Sequence, residues 1–376
     1  MRFLAVLPLL AACSSEPAYV SRADLDRAVS RGDMDTLCAG LAMPEAKTRR
    51  AAAENLKRVQ EPAACLCERV VRKGAWDADI LAGLEGAEDA ARFGCVGEVL
   101  ADTTQKDRDA LATALTKIPA ARTALAKVAK EDADVTVRAA AIPALRGTSD
   151  SAEIALLTEL LQKAPEEDVR AAAASALLAN AVAGDALRAA AASDTAPKVR
   201  AAAYDALLAQ SQAADHDTLA CAGLADADAY VRTTVANLLK GSRSPEKLAC
   251  MRARMLVEEP DDGARAALLA AVASSPRDEA AAILCDSIPA WGRMYLKAGF
   301  PKIRPATELD VAYAQNERDH ENSYACFQKH AGAAGLSCEA RRWILDWYKA
   351  VGGGVAVPRC GGGGGAGAAS NEVSFD

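Results

Sequence analysis

DVTVRAAAIPAL at residues 134–145 returns as EEDVRAAAASALL at 166–178, APKVRAAAYDALL at 196–208 and DAYVRTTVANLL at 228–239. A looser copy, DDGARAALLAAV, stands at 261–272. The arginines are Arg138, Arg170, Arg200, Arg232 and Arg265, so the intervals are 32, 30, 32 and 33 residues. Apolar and polar residues do not alternate in any copy, so the strand template fails and the helical one fits. Four copies place an acid four residues before the arginine: Asp134, Glu166, Asp228 and Asp261. In a first helical turn that acid complements the dipole and can pair with the arginine one turn on. Leu145, Leu177, Leu207, Leu239 and Val272 supply apolar bulk, and the alanines allow a neighbouring helix to approach closely.

Between copies lies a second apolar run that also reads as helix, such as SAEIALLTELLQK at 151–163 or PEKLACMRARML at 245–256. One helix pair cannot bury its own apolar face, whereas pairs stacked side by side bury a continuous core. The expected fold is therefore all-α, an α-solenoid of helix pairs with a cap of a different kind at its C-terminal end.

The phrase D-x-x-x-VR-x-x-A-x-x-A-L resembles HEAT repeats, in the short form shared with bilin lyase-type proteins. The resemblance implies a polar ladder of Asp and Arg from successive repeats, here Asp134 with Arg138, Asp228 with Arg232 and Asp261 with Arg265. Glu166 replaces Asp beside Arg170, and Ala196 stands at the acid position before Arg200. Arg200 is thereby left without its rung, and its loss is expected to be milder than that of Arg232. The likeness is strong over 131–274 and weaker over 44–100. HEAT-repeat proteins serve many functions, so the fold inference is specific and the functional one is not.

The N-terminus, MRFLAVLPLLAAC, has one basic residue, a short apolar run and small residues before a cysteine, as a targeting segment does. Leu10-Ala11-Ala12-Cys13 resembles a bacterial lipobox, which implies removal of residues 1–12 and lipid on Cys13. Residues 13–20 then form a lipidated tether. With Ser14 after the cysteine, the expected address is the outer membrane, facing the periplasm or the cell surface. The net charge of −7 argues against a nucleic-acid footprint.

Ten cysteines remain of eleven once Cys13 is set aside, an even number in an oxidising compartment. Cys38, Cys65, Cys67 and Cys95 are spaced by about one helix pair, as are Cys221 and Cys250, all on the second helix of each pair. Cys65 and Cys67 point about 200° apart on a helix, so one faces the preceding repeat and the other the following one. The expected pairs, taken from this geometry together with the spacing, are Cys38–Cys65, Cys67–Cys95 and Cys221–Cys250. Cys326–Cys338 and Cys285–Cys360 complete the set; the alternative is that some remain buried thiols.

Residues 21–130 read as divergent helical repeats and 131–288 as the regular array. The opening, SRADLDRAVSRGD at 21–33, begins with a capping pattern at Ser21 and Asp24. Beyond Cys285 the phrase disappears and aromatics gather; Trp291, Trp343, Trp347 and Tyr348 are among them. Residues 289–350 are expected to form an irregular helical cap, and 351–376 a glycine-rich disordered tail.

His320, Cys326, His330 and Cys338 lie close enough in sequence for a zinc site, but their spacings match no common pattern and the compartment favours a disulfide. No nucleophile accompanies Asp319-His320-Glu321, and His216 reads as a solvated loop residue. The reading is of a non-enzymatic envelope lipoprotein without cofactor, held to the membrane by its lipid and binding another envelope protein. An enzyme or metal module within 286–350 is the alternative.

Overall fold

The computed structural model describes residues 19–59, 64–72, 75–102, 104, 106–210, 215–276, 279–280, 282–283 and 286–287. The expected signal segment, Cys13, Cys285, the 289–350 cap with its histidines and cysteines, and the 351–376 tail lie outside them. The described residues carry eighteen α-helices, with helix pairs packed one on the next as an α-solenoid. The chain divides into two compact units, residues 1–186 and 187–376. This division falls within the stretch read as the regular array.

In the first unit, α1 (Arg22–Arg31) opens with a reciprocal box: the Ser21 hydroxyl accepts from the Asp24 N–H and the Asp24 carboxylate accepts from the Ser21 N–H. Gly32 ends it at φ 64°, a left-handed conformation that glycine adopts without penalty. Val20 is already buried at 6% exposure, so the expected tether packs against the body at its last residue. The helices that follow are α2 (Met34–Ala42), α3 (Ala46–Leu56), α4 (Ala64–Arg69) and α5 (Ala78–Gly83). Then come α6 (Ala90–Phe93), α7 (Cys95–Glu98), α8 (Arg108–Leu115) and α9 (Arg122–Glu131). The unit continues with α10 (Val135–Ala141), α11 (Ser151–Lys163) and α12 (Glu167–Ala176).

These helices form two layers. One holds α3, α5, α8, α10 and α12, in which α3 packs on α5, and α10 on both α8 and α12. The other holds α2, α4, α7, α9 and α11, packed in that order. A short antiparallel ribbon, β1 (Val71–Arg72) with β2 (Ala75–Trp76), interrupts the all-helical pattern, pairing Val71 with Trp76 and Arg72 with Ala75. The phrase at 134–145 is not one continuous helix. Pro143 supplies no N–H, α10 stops at Ala141, and Ile142–Leu145 tighten into a 3-10 turn.

The α13 helix (Gly184–Ser193) spans the division between the units. The second unit continues with α14 (Pro197–Leu208), α15 (His216–Leu224), α16 (Ala229–Leu238), α17 (Pro245–Met255) and α18 (Asp262–Ala273). Its phrase helices α14, α16 and α18 pack in series, and α15 packs on α17 beside them.

The repeated phrase supplies the core at fixed positions. Val137, Val169, Val199 and Val231, each just before the arginine, are at most 1% exposed. Leu145, Leu177, Leu207 and Val272, seven residues after it, are fully buried, and Leu239 is nearly so. Burial of such a side chain contributes about 1.5–3 kcal/mol. Three residues after the arginine, Ala141, Ala173 and Ala203 are also fully buried, which brings the helices close. One close approach is between α3 and α5, where a Cβ on Gly83 would meet the Arg50 carbonyl oxygen and stand 2.6 Å from Ala53 Cβ.

Candidate functional site

The polar feature that repeats with the fold is the arginine itself. In all five phrase copies its Nη1 donates to the backbone carbonyl six residues earlier, in the turn before its own helix. Arg138 reaches Asp132 O at 2.8 Å, Arg170 reaches Ala164 O at 2.9 Å and Arg200 reaches Asp194 O at 2.9 Å. Arg232 reaches Asp226 O at 2.8 Å and Arg265 reaches Glu259 O at 3.1 Å. Each guanidinium thus fastens its own inter-helix turn.

In the Arg138, Arg200 and Arg232 copies the remaining nitrogens reach the next repeat. Arg138 Nη2 lies 2.8 Å from Glu166, Arg200 is bidentate on Asp226 at 2.8 and 2.9 Å, and Arg232 is bidentate on Glu259 at 2.7 Å. Bidentate guanidinium–carboxylate pairs are among the stronger protein hydrogen bonds. The Arg200 and Arg232 side chains are only 14% and 11% exposed, and their partners 9% and 1%.

This corrects the expected ladder. The acid four residues before the arginine is not its partner in the Asp134 and Asp228 copies. Asp134 accepts from the Thr136 N–H and Asp228 from the Tyr230 N–H, each capping the helix start; Asp261 likewise accepts from the Ala264 N–H. These residues stand before the helix in extended backbone, Asp134 at φ −86° and ψ 118°, so helical i,i+4 geometry does not apply to them. Glu166 makes no cap bond and serves instead as the rung for Arg138. Arg200, expected to lack a rung because of Ala196, has a complete one on Asp226. At Arg265 the guanidinium pairs with Asp262 of its own helix.

The rungs extend beyond the residues that the sequence pointed to. Arg49 Nη1 donates to Met43 O, again six residues back, at 3.3 Å, and its other nitrogens lie 2.7 Å from Asp77 and from Asp79. Arg108 is bidentate on Asp132 at 2.5 and 3.1 Å and donates to Leu100 O. The readable signal is an acid six residues before the arginine: Asp132, Asp194, Asp226 and Glu259. Each of these also accepts from the N–H two residues on and so rigidifies the turn. In the other layer, Arg122 on α9 is bidentate on Glu153 of α11.

Burial alone would push the Asp132, Asp226 and Glu259 carboxyls up. The hydrogen bonds from Arg108, Arg200 and Arg232 outweigh it and hold all three below the ordinary carboxylate range. Glu166 is held down chiefly by its hydrogen bond from Arg138. The ladder is therefore a set of ionised pairs rather than a source of protons near neutral pH.

Three cysteine pairs staple the layer opposite the arginine helices. Cys38 of α2 is joined to Cys65 of α4, and Cys67 of α4 to Cys95 of α7, with Cα atoms 5.8 and 5.9 Å apart. Cys221 of α15 is joined to Cys250 of α17 across 5.2 Å. Cys65 and Cys67 serve opposite neighbours, as their angular separation on one helix requires. Cys285, Cys326, Cys338 and Cys360 lie outside the described residues, as do His320 and His330.

His216 is not a loop residue. It opens α15, and its Nε2 lies 2.8 Å from the Leu208 carbonyl, which can only accept, so that nitrogen carries the proton. Among the described residues, no three His, Cys, Asp or Glu side chains stand together as metal ligands, and no helix is long and apolar enough to cross a membrane.

Residues 96–178 match the family model for HEAT repeats. The match contains the rungs Arg108–Asp132 and Arg138–Glu166. The later copies at Arg200 and Arg232 carry the same carbonyl and carboxylate geometry beyond it. No curated protein matches the chain.

Proposed function

We propose that this chain is an envelope lipoprotein whose HEAT repeats act as a non-enzymatic scaffold for another envelope protein. The observation that carries the scaffold reading is the stack of helix pairs, several of them fastened to the next by a guanidinium already committed to structural partners. Repeat arrays of this kind present extended surface on a rigid frame. The three cysteine pairs support an oxidising compartment, and the Leu10-Ala11-Ala12-Cys13 sequence supports a lipid anchor.

Fractionation tests the anchor: Cys13→Ser should move the protein from membranes to the soluble fraction, and continued membrane association would overturn the lipoprotein reading. Crosslinking in cells, with mass spectrometric identification, tests the scaffold. A reproducible envelope partner attached to residues of the repeats is the expected result; no partner under conditions that crosslink known envelope complexes would overturn it.

A further inference from the structure

Six large apolar side chains stand well exposed among the described residues: Tyr19, Val182, Tyr230, Leu238, Leu256 and Val257. Tyr230, Leu256 and Val257, at 57%, 49% and 58% exposure, fall on two neighbouring turns of the second unit. One turn joins α15 to α16 and the other joins α17 to α18.

A single ionic cluster draws these turns together. Arg232 donates to the carbonyls of Asp226 and Ala227 in the first turn and to the Glu259 carboxylate in the second. Arg254, at the end of α17, pairs with the same Glu259 and donates to the carbonyls of Val257 and Glu258. Tyr230 is fixed to the first turn by the bond from its N–H to Asp228. The two turns beside these three apolar residues, at the start of α16 and the end of α17, are thus tied to each other.

Charge on this edge is mainly negative. Residues 226–232 and 254–262 contain six carboxylates and two guanidiniums. Arg232, Arg254 and their neighbours Asp226 and Glu259 are sunk into the cluster, and Asp262 pairs with Arg265, while Asp228, Glu258, Asp261 and Asp262 are at least partly exposed against one exposed cation, Arg252, beside Leu256. The surface is an apolar spot in an acidic rim.

We propose that this edge docks a basic segment of a partner protein, one that carries large apolar side chains among its lysines or arginines. The inference rests on the scaffold reading and gives the partner its chemistry. Apolar anchors provide the desolvation that dominates interface energetics, and the acidic rim steers a basic segment while repelling an acidic one. A second copy of this chain is the wrong occupant, since a two-fold contact would set the acidic edge against itself on a molecule of net charge −7.

The test uses the full, disulfide-intact protein and two synthetic peptides of equal length, one alternating Lys and Leu and the other Glu and Leu. Fluorescence anisotropy should show binding of the Lys–Leu peptide, weakening with salt, and none of the Glu–Leu peptide. Tyr230→Ser with Val257→Ser should weaken binding roughly tenfold or more, and Val257→Ser alone should give part of that loss. Leu238→Ser, at the far end of α16, should leave binding unchanged. Unaltered affinity in both edge variants, or equal binding of the Glu–Leu peptide, would overturn the proposal. Photo-crosslinkers at positions 230 and 257 separate it from the scaffold reading: partners captured from other repeat positions but not from these sink the edge alone, whereas none from any position sinks both.

Discussion

A ladder arginine such as Arg200 or Arg232 makes two kinds of bond at once, to a carbonyl of its own turn and to a carboxylate of the following repeat. Removing it leaves both kinds of acceptor unsatisfied in a mostly buried setting. Arg200→Ala and Arg232→Ala should therefore each cost about 3 kcal/mol, as expected for breaking a buried pair. Urea unfolding should give similar losses for the two, against less than about 1 kcal/mol for Arg27→Ala, whose pair with Asp24 is exposed. A loss at Arg200 much smaller than at Arg232 would restore the pairing rule read from the sequence. The carboxylates add a pH dependence. Their folded-state values are lowered, so their contribution is complete above the ordinary carboxylate range and is lost as pH falls through the folded values. Melting temperature should be flat near neutrality and drop below about pH 4. Asp226→Asn should be less stable at neutral pH and show a shallower acid slope.

Among the elements, α3 and α5 pack closely at Gly83. Alanine is the better helix former by about 1 kcal/mol. Here its methyl would push against the Arg50 carbonyl and Ala53, so Gly83→Ala should destabilise by about 1–3 kcal/mol in chemical denaturation. The cysteine pairs act in the other layer. Cys38–Cys65 closes a segment with sequence separation 27 and Cys221–Cys250 one with separation 29. Replacing either pair by serines should cost about 2–4 kcal/mol, read as a lower melting temperature that no longer responds to reductant at that site. Covalent staples occur in one layer only, whereas ionic rungs occur in both, and the losses should add where the sites are distant.

For the molecule as a whole, the repeat period and the buried positions around each arginine were legible because they recur with the chain. Val199 and Leu207 are core for the same reason as Val137 and Leu145. The cysteine partners were legible because two residues on one helix cannot face the same neighbour. The ladder was misassigned because the nearer acid, Asp134 or Asp228, satisfies a rule for residues inside a helix, while both residues stand just outside one. The true signal, Asp132 or Asp226, was present but follows from the geometry of a turn. The ribbon at 71–76 left no trace, since two-residue strands are too short to show alternation. The acidic, apolar edge was equally hidden: the turns beside Tyr230 and Val257 come together only through Arg232 and Glu259.

The carbonyl six residues behind and the carboxylate one repeat ahead give each unit a plug and a socket. Within each compact unit the coupling runs one way along the chain, so the members are not interchangeable with their mirror order. A tandem copy of about thirty residues brings both halves of the joint with it and can be spliced in without redesigning its neighbours. A copy of half that length would bring a plug with nothing to receive it. Such an array lends itself to growth and shrinkage in whole steps.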